Sequence, residues 1–166
     1  MKQIRFKNMK KLLAVFVLSL SMLACSSDDN PDLDEGPENG HYKVYVDSNL
    51  VAEEEENVSL INGTISVSNS QNFGLLMYNT PVIGQTVNVS YTEWALAVDA
   101  GDTSKPMVKL SGTFLGNSNE YSMFSGTITR VSEYKVTFTG VFKELLITGV
   151  NHTMEGEIEI KNIISI

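Results

Sequence analysis

The chain reads as an all-β protein: a single antiparallel domain of about eight strands, with a curved meander in its second half, built as a sandwich or small barrel. Three observations lead there. First, from His41 onward short alternating runs are bounded by Gly, Asn, Ser and Pro, with no sustained helical periodicity. Second, a weak repeat recurs as "SGTF" at Ser111, "SGTI" at Ser125, "TGVF" at Thr139 and "EGEI" at Glu155. Third, side chains alternate between faces along a strand, and one parity is apolar in all four repeats. Even positions carry Val108, Leu110, Phe114, Phe124, Ile128, Val136, Phe138, Phe142, Met154, Ile158 and Ile160, and odd positions are mostly Ser, Thr, Lys and Glu.

The body is preceded by a different kind of sequence. Residues 1–24 hold five basic residues (Lys2, Arg5, Lys7, Lys10, Lys11) and no acidic ones, and Leu12 to Ala24 is an apolar run interrupted only by Ser19 and Ser21. A membrane-spanning helix needs about 20 apolar residues. The shorter run, with its basic start, fits a signal peptide, removed from the mature protein. Without it the chain keeps 7 of its 12 basic residues against 20 acidic ones, a formal charge of −13. Such a surface repels nucleic acid, whose binding rests on basic side chains neutralising phosphates, and argues against direct adsorption on anionic lipid.

Met22-Leu23-Ala24-Cys25 resembles the lipobox of bacterial lipoproteins, in which a small residue precedes a cysteine that is acylated and becomes the new N-terminus. Cys25 is the chain's single cysteine, so it forms no internal disulfide. The resemblance implies a protein whose partner is the lipid bilayer, reached through acyl chains on Cys25. Each buried methylene of such chains contributes about 0.8 kcal/mol. The following Ser26-Ser27-Asp28-Asp29-Asn30-Pro31 is similar to the serine-plus-acidic export signal of surface lipoproteins in the Bacteroidota. It implies an outer-membrane location with surface exposure, the periplasmic face being the alternative. A calcium loop needs Gly at its sixth position and Glu at its twelfth. Neither register starting at Asp28 or Asn30 supplies them, so residues 25–40 read as an acidic tether.

The body, residues 41–166, divides into candidate strands at 41–47, 58–68, 72–79, 86–93, 106–115, 121–131, 134–143 and 153–164. "LVAEEEEN" (Leu50 to Asn57) reads as a solvated loop and "DAGDTSKP" (Asp99 to Pro106) as the longest loop. Ile61, Gly63, Ile65 and Val67 share one expected face. The even spacing of Gly112, Gly126, Gly140 and Gly156 predicts an aligned row: Gly126 opposite Gly112, Gly140 opposite Gly126 through a turn at Glu133, and Gly156 opposite Gly140. An odd-length loop or bulge is expected at the Glu133 turn. Glycines aligned across strands permit a sharp crease. The whole resembles the small surface lipoproteins of the Bacteroidota, with an acidic tether before strands carrying "SGT". This implies an all-β domain and no particular activity.

Chemistry-bearing residues are sparse. His41 and His152 carry no metal-ligand spacing, and no serine elbow or phosphate loop occurs. Glu53 to Glu56 read as a solvated run, and Asp99 and Asp102 as turn formers. Trp94 reads as a core residue, with sugar stacking beside Tyr91 as the alternative. No catalytic, metal or cofactor residue is therefore predicted. The expectation is a non-enzymatic binding module whose partner is a small molecule, a glycan or a protein, with no nucleic acid. A barrel would be lined by Phe114, Phe124, Ile128, Phe138 and Phe142, whereas a closed sandwich would engage through its loops. An accessory subunit of an outer-membrane complex is the competing reading, and a hydrolase a weaker one.

Overall fold

The computed structural model describes residues 36–56, 58–68, 72–113, 119–144 and 151–165. The leader, Cys25, most of the tether and Phe114 lie outside them. The described body is one curled mixed sheet, a half-barrel, with one short helix. In chain order the elements are β1 (Gly40–Val46), β2 (Asn49–Glu56), β3 (Ser59–Ile61), β4 (Thr64–Ser68), β5 (Gly74–Tyr78), β6 (Thr86–Ser90), α1 (Tyr91–Asp99), β7 (Met107–Gly112), β8 (Asn119–Arg130), β9 (Lys135–Glu144), β10 (His152–Glu159) and β11 (Asn162–Ile164). The path across the sheet is β11-β3-β4-β5-β7-β8-β9-β10-β1-β2, with β6 paired to β8 beside it.

The expectation of about eight antiparallel strands is corrected to eleven in a mixed sheet, for local reasons. Asn62-Gly63 cuts the expected 58–68 strand in two. Both residues have positive φ (48° and 80°), as a tight hairpin turn requires, and Leu60 then faces Ile65 across it. Ile61 consequently points outward, 44% exposed, instead of sharing a face with Ile65 and Val67. The glutamate run is a strand rather than a loop. Asp47 and Ser48, again with positive φ, turn β1 back into β2, and β1 pairs along Glu53 to Glu56. Helix α1 replaces the end of the expected 86–93 strand. Ser90 caps it, its Oγ accepting from Glu93 N at 3.4 Å. Gly101 at φ +79° ends it, with Asp102 N donating to Ala97 O and Gly101 N to Val98 O.

The parallel pair, β11 with β3, follows from a wedge. Strand β1 lies antiparallel to both β10 and β2, so those two run parallel with β1 between them. Strand β1 begins at Gly40, opposite Glu56, while His41 lies opposite Glu159. Past that level the continuations β11 and β3 pair directly. Val58 O accepts from Lys161 N at 2.9 Å and from Asn162 N at 3.3 Å at the fork. Two strands thus pass from one edge of the sheet to the other, which holds the curl.

Inside the curl lie Tyr42, Val44, Leu60, Ile65, Met77, Leu110, Met123, Ile128, Phe138, Phe142, Met154, Ile158 and Ile160, all buried. Tyr42 stacks on Phe73 with centroids 5.5 Å apart. The glycine row holds at one step. Gly126 lies opposite Gly140, and the Ser132–Tyr134 connection gives the odd-length loop. A Cβ on Gly140 would come 2.5 Å from Ser125 O and 3.0 Å from Gly126 Cα, so the two backbones approach where only glycine fits. The other two steps are corrected. Gly112 faces Asn119 because the lower half of β8 pairs with β6, not β7. Gly156 faces Phe138, whose ring fills the space that a side chain at 156 would need.

Candidate functional site

Strand β8 changes partner halfway along, and the site arises there. Its lower half, Ser125 to Thr129, pairs with β6, and its upper half, Asn119 to Ser122, pairs with β7. Strand β6 stops at Ser90, opposite Ser125, and the chain turns into α1. At the same level a bulge interrupts β8: Met123 faces Phe142, Ser125 faces Val141, and Phe124 is the extra residue. The bulge reverses parity. Tyr121 and Met123 point into the core, while Phe124, expected in the apolar interior, lies outside at 39% exposure. Phe124 is therefore corrected from core to surface. Ile128, Phe138 and Phe142 are buried, at 0%, 3% and 0% exposure.

The same reversal turns Ser122 to the outer face, between Lys109 on β7 and Lys143 on β9. Helix α1 sets two aromatic rings beside it from positions one turn apart. Tyr91 and Trp94 have centroids 6.0 Å apart, and Tyr91 lies nearly parallel to Phe124, 6.4 Å away with an 18° interplanar angle. The Lys143 Nζ sits 3.4 Å from the centre of the Phe124 ring, and Lys109 Nζ 5.2 Å from that of Trp94. Such cation–π contacts hold long side chains in place. Lys109 also reaches Glu120 Oε1 at 3.5 Å. Together Tyr91, Ser122, Phe124, Lys143 and Glu144 line a cleft of about 170 Å³.

At its floor Ser122 is 2% exposed, and among the described residues its Oγ is the buried side-chain polar atom with no hydrogen-bond partner. A buried unpartnered hydroxyl costs about 1–3 kcal/mol. Two larger depressions, of about 310 Å³ beside Thr127 and Thr139 and about 330 Å³ beside Leu76 and Ser111, lie elsewhere on the sheet. Neither includes such a group.

The other residues singled out in the sequence take structural roles. His41 and His152 lie at opposite ends of the β1–β10 ladder and do not meet. His152 Nδ1 lies 2.7 Å from Asp47 Oδ2, and Thr153 N donates to Asp47 Oδ1 at 2.9 Å. The His152 contact first, and then the Thr153 amide, hold the Asp47 carboxyl below its ordinary value. Glu53 bridges Lys43 at 2.8 Å and His41 at 3.4 Å. The Lys43 hydrogen bond holds Glu53 below the usual carboxylate range. Asp99 ends α1, and the Asp102 carboxyl is lowered first by the Ser104 side chain and then by Ser104 N, from which it accepts at 2.8 Å. Trp94 is half-buried against the edge of the core, between the two readings open for it in the sequence.

Sequence reasoning missed Ser122, Lys109 and Lys143. The pattern Ser90-x-x-Glu93 is a helix-start signal that would have located α1 and, from it, the Tyr91–Trp94 spacing. No comparable signal marks the bulge. Comparison with protein-family models, with curated proteins and with solved structures returns no match.

Proposed function

We propose that this chain is a membrane-anchored, non-enzymatic binding module, and that the cleft between α1 and the β8 bulge is where it binds. The observation that carries the reading is the cleft itself, in which Tyr91 and Phe124 form apolar walls beside Lys143 and Glu144 with Ser122 at the floor. Pockets that take small ligands combine apolar walls with a few convergent polar groups. Anchoring through acylated Cys25 at the outer membrane, surface-exposed, is the reading supported by the basic leader, the apolar run and the acidic tether. A surface cleft as the binding point sets this reading apart from one in which the ligand enters an interior lined by Phe138 and Phe142, both buried. An accessory subunit of a membrane complex is the second reading. It is favoured by exposed Val82 and Ile83, which the Gly84 N to Arg130 O bond ties next to exposed Val131.

Two experiments test this. Radioactive palmitate should label the chain in cells, and Cys25→Ala should abolish the label; a label that survives the change refutes the anchor. For binding, Trp94 is the single tryptophan, so its emission reports on the cleft. Titrating the low-molecular-weight fraction of the cells' growth medium should shift that emission, and Phe124→Ala should remove the response. The bound component should be recovered unchanged by mass spectrometry. Recovery of a chemically altered component would overturn the non-enzymatic part.

A further inference from the structure

We propose that one end of the body rests on the lipid bilayer, with Val82, Ile83 and Val131 entering the boundary between headgroups and acyl chains. The inference deepens the membrane-anchor reading and rests on it for what brings the body to the lipid. Place is the first argument. The tether meets the body at Gly36, where a Cβ would come 2.5 Å from Tyr134 Cε1. Tyr134 ends the connection between β8 and β9, Val131 begins it, and Tyr134 O accepts from Ile160 N at 2.7 Å. From there hydrogen bonds run from loop to loop. Gly84 N donates to Arg130 O at 2.8 Å, and Arg130 N to Gln85 O at 3.0 Å. Thr80 N donates to Gly63 O at 2.9 Å, and Asn62 N to Ile164 O at 3.0 Å. The tether entry, the 131–134 connection, the 79–85 loop and the Asn62-Gly63 turn therefore share one end of the body.

Exposure is the second. Among the described residues nine large apolar side chains are exposed, and five of them belong to this end: Ile61, Val82, Ile83, Val131 and Ile164. Val82, Ile83 and Val131 are 63%, 57% and 51% exposed. Leu50, also exposed, lies opposite Tyr45 at the far end of β1. Backbone that enters lipid must have its polar groups satisfied within the protein. The tip meets that demand at Gly84 N, at Gln85 N, which donates to Val82 O at 3.1 Å, and at Val131 N, which donates to Lys135 O at 2.8 Å.

Reach is the third. The eleven residues 25–35 span at most about 40 Å when fully extended. Strand β8, with twelve residues, is about as long. An anchor at Cys25 thus keeps this end of the body within one body length of the lipid, at a high effective concentration. The formal charge of −13 leaves apolar contact as the attraction. A partner subunit is the competing occupant. A stable protein interface takes about 20–30 residues a side, whereas this patch offers five apolar ones, and nothing ties such an interface to the tether's point of entry. Strand β6 runs from Thr86 at this end to Ser90, about 17 Å. A body docked in this way holds the cleft beside α1 clear of the bilayer.

The test places a photo-reactive benzophenone amino acid at position 83, 131 or 50 of the full chain in cells and identifies each cross-linked product by mass. All three positions are exposed, so the probe spares the fold. Lipid adducts at 83 and 131, with little at 50, are the expected result. Ile83→Ser should lower the lipid adduct at 131 about tenfold, the effect of one aliphatic side chain no longer buried in lipid. An adduct at 131 indifferent to that change overturns the apolar contact. Protein adducts in place of lipid at 83 and 131 assign the patch to a partner subunit and overturn the proposal. Equal lipid adducts at all three positions, or none at 83 and 131, overturn it as well. Palmitate labelling of the same cells separates the two readings. Lipid adducts confined to 83 and 131 without a palmitate label refute the anchor and support the docked end. A palmitate label without those adducts keeps the anchor and overturns the docked end.

Discussion

Single residues in this fold do their work where no side chain fits or where one polar atom finds its partner. Gly140 is the first kind. Alanine there must push against Ser125 O and the Gly126 backbone, neither of which moves cheaply. Gly140→Ala should therefore cost about 1–3 kcal/mol, the range of core overpacking, measured by urea denaturation. An unchanged midpoint would show that the crease does not depend on glycine. Asp47 is the second kind. Its carboxyl is held below the ordinary value of about 3.9. The stabilisation is thus fully present above about pH 4 and is lost as pH falls through the lowered folded value. Asp47→Asn keeps a residue that tolerates positive φ while removing the charge. The gap in stability between the native chain and the variant should be open at about pH 6 and closed at about pH 2. Since Asp47 is half exposed, solvent screening keeps it within about 1 kcal/mol. A gap independent of pH would assign the effect to turn geometry instead. The Asp47 turn itself was hidden in the sequence because Asp-Ser is a weaker turn signal than Asn-Gly.

At the scale of elements, local chemistry sets where each one starts and stops, and tertiary pairing sets which side it shows. Helix α1 buries none of its residues fully, so its caps matter more than in a packed helix. Ser90→Ala should cost about 0.5–1 kcal/mol, the low end for a cap whose bond is 3.4 Å long. Faster amide exchange at Tyr91 to Glu93 would report it, and an unchanged exchange rate would count against the cap. Because α1 carries Tyr91 and Trp94, the same change should loosen the cleft. Strand β8 shows the opposite dependence. Its parity was legible in the sequence for Ile128, and the match of Gly126 to Gly140 was legible too. Phe124 was not, because the bulge lies where β8 passes from β6 to β7, and alternation along "MFSG" does not mark it. That one displaced residue turns Phe124 outward and with it creates the aromatic wall of the cleft.

For the whole molecule, the fork at Gly40 is the point on which the curl depends. Strands β10 and β2 are spread by β1 and rejoin as β11 and β3. Removing residues 162–166 would leave β3 with an unpaired edge, which invites association with another chain. The shortened chain should unfold at lower denaturant and sediment in a concentration-dependent way, whereas a monomer of unchanged stability would mean the fork is held by Val58 and Ile160 alone. Alternation of apolar and polar residues was enough to identify an all-β body, because the two faces of a strand meet different solvents. The strand count was underestimated for an equally physical reason. Asn62-Gly63 divides one expected strand into a hairpin, the glutamate run pairs with β1 as β2, and β11 leaves β10 to pair with β3, a change of partner that alternation does not record.

What the sequence by itself determined is the chemistry that depends on order along the chain: the basic and apolar leader pattern, the acidic segment behind Cys25, the alternating strands, and the Gly126–Gly140 match whose spacing fixes its own hairpin. Only the tertiary structure decided which strands neighbour one another. From that came the wedge of β1, the parallel β11–β3 pair, the bulge at Phe124 and the convergence of Ser122, Lys109, Lys143 and Tyr91. Those four residues span more than fifty positions of the chain and share no local pattern. Their meeting is a consequence of long-range pairing, whose energy depends on partners that no local window of sequence contains.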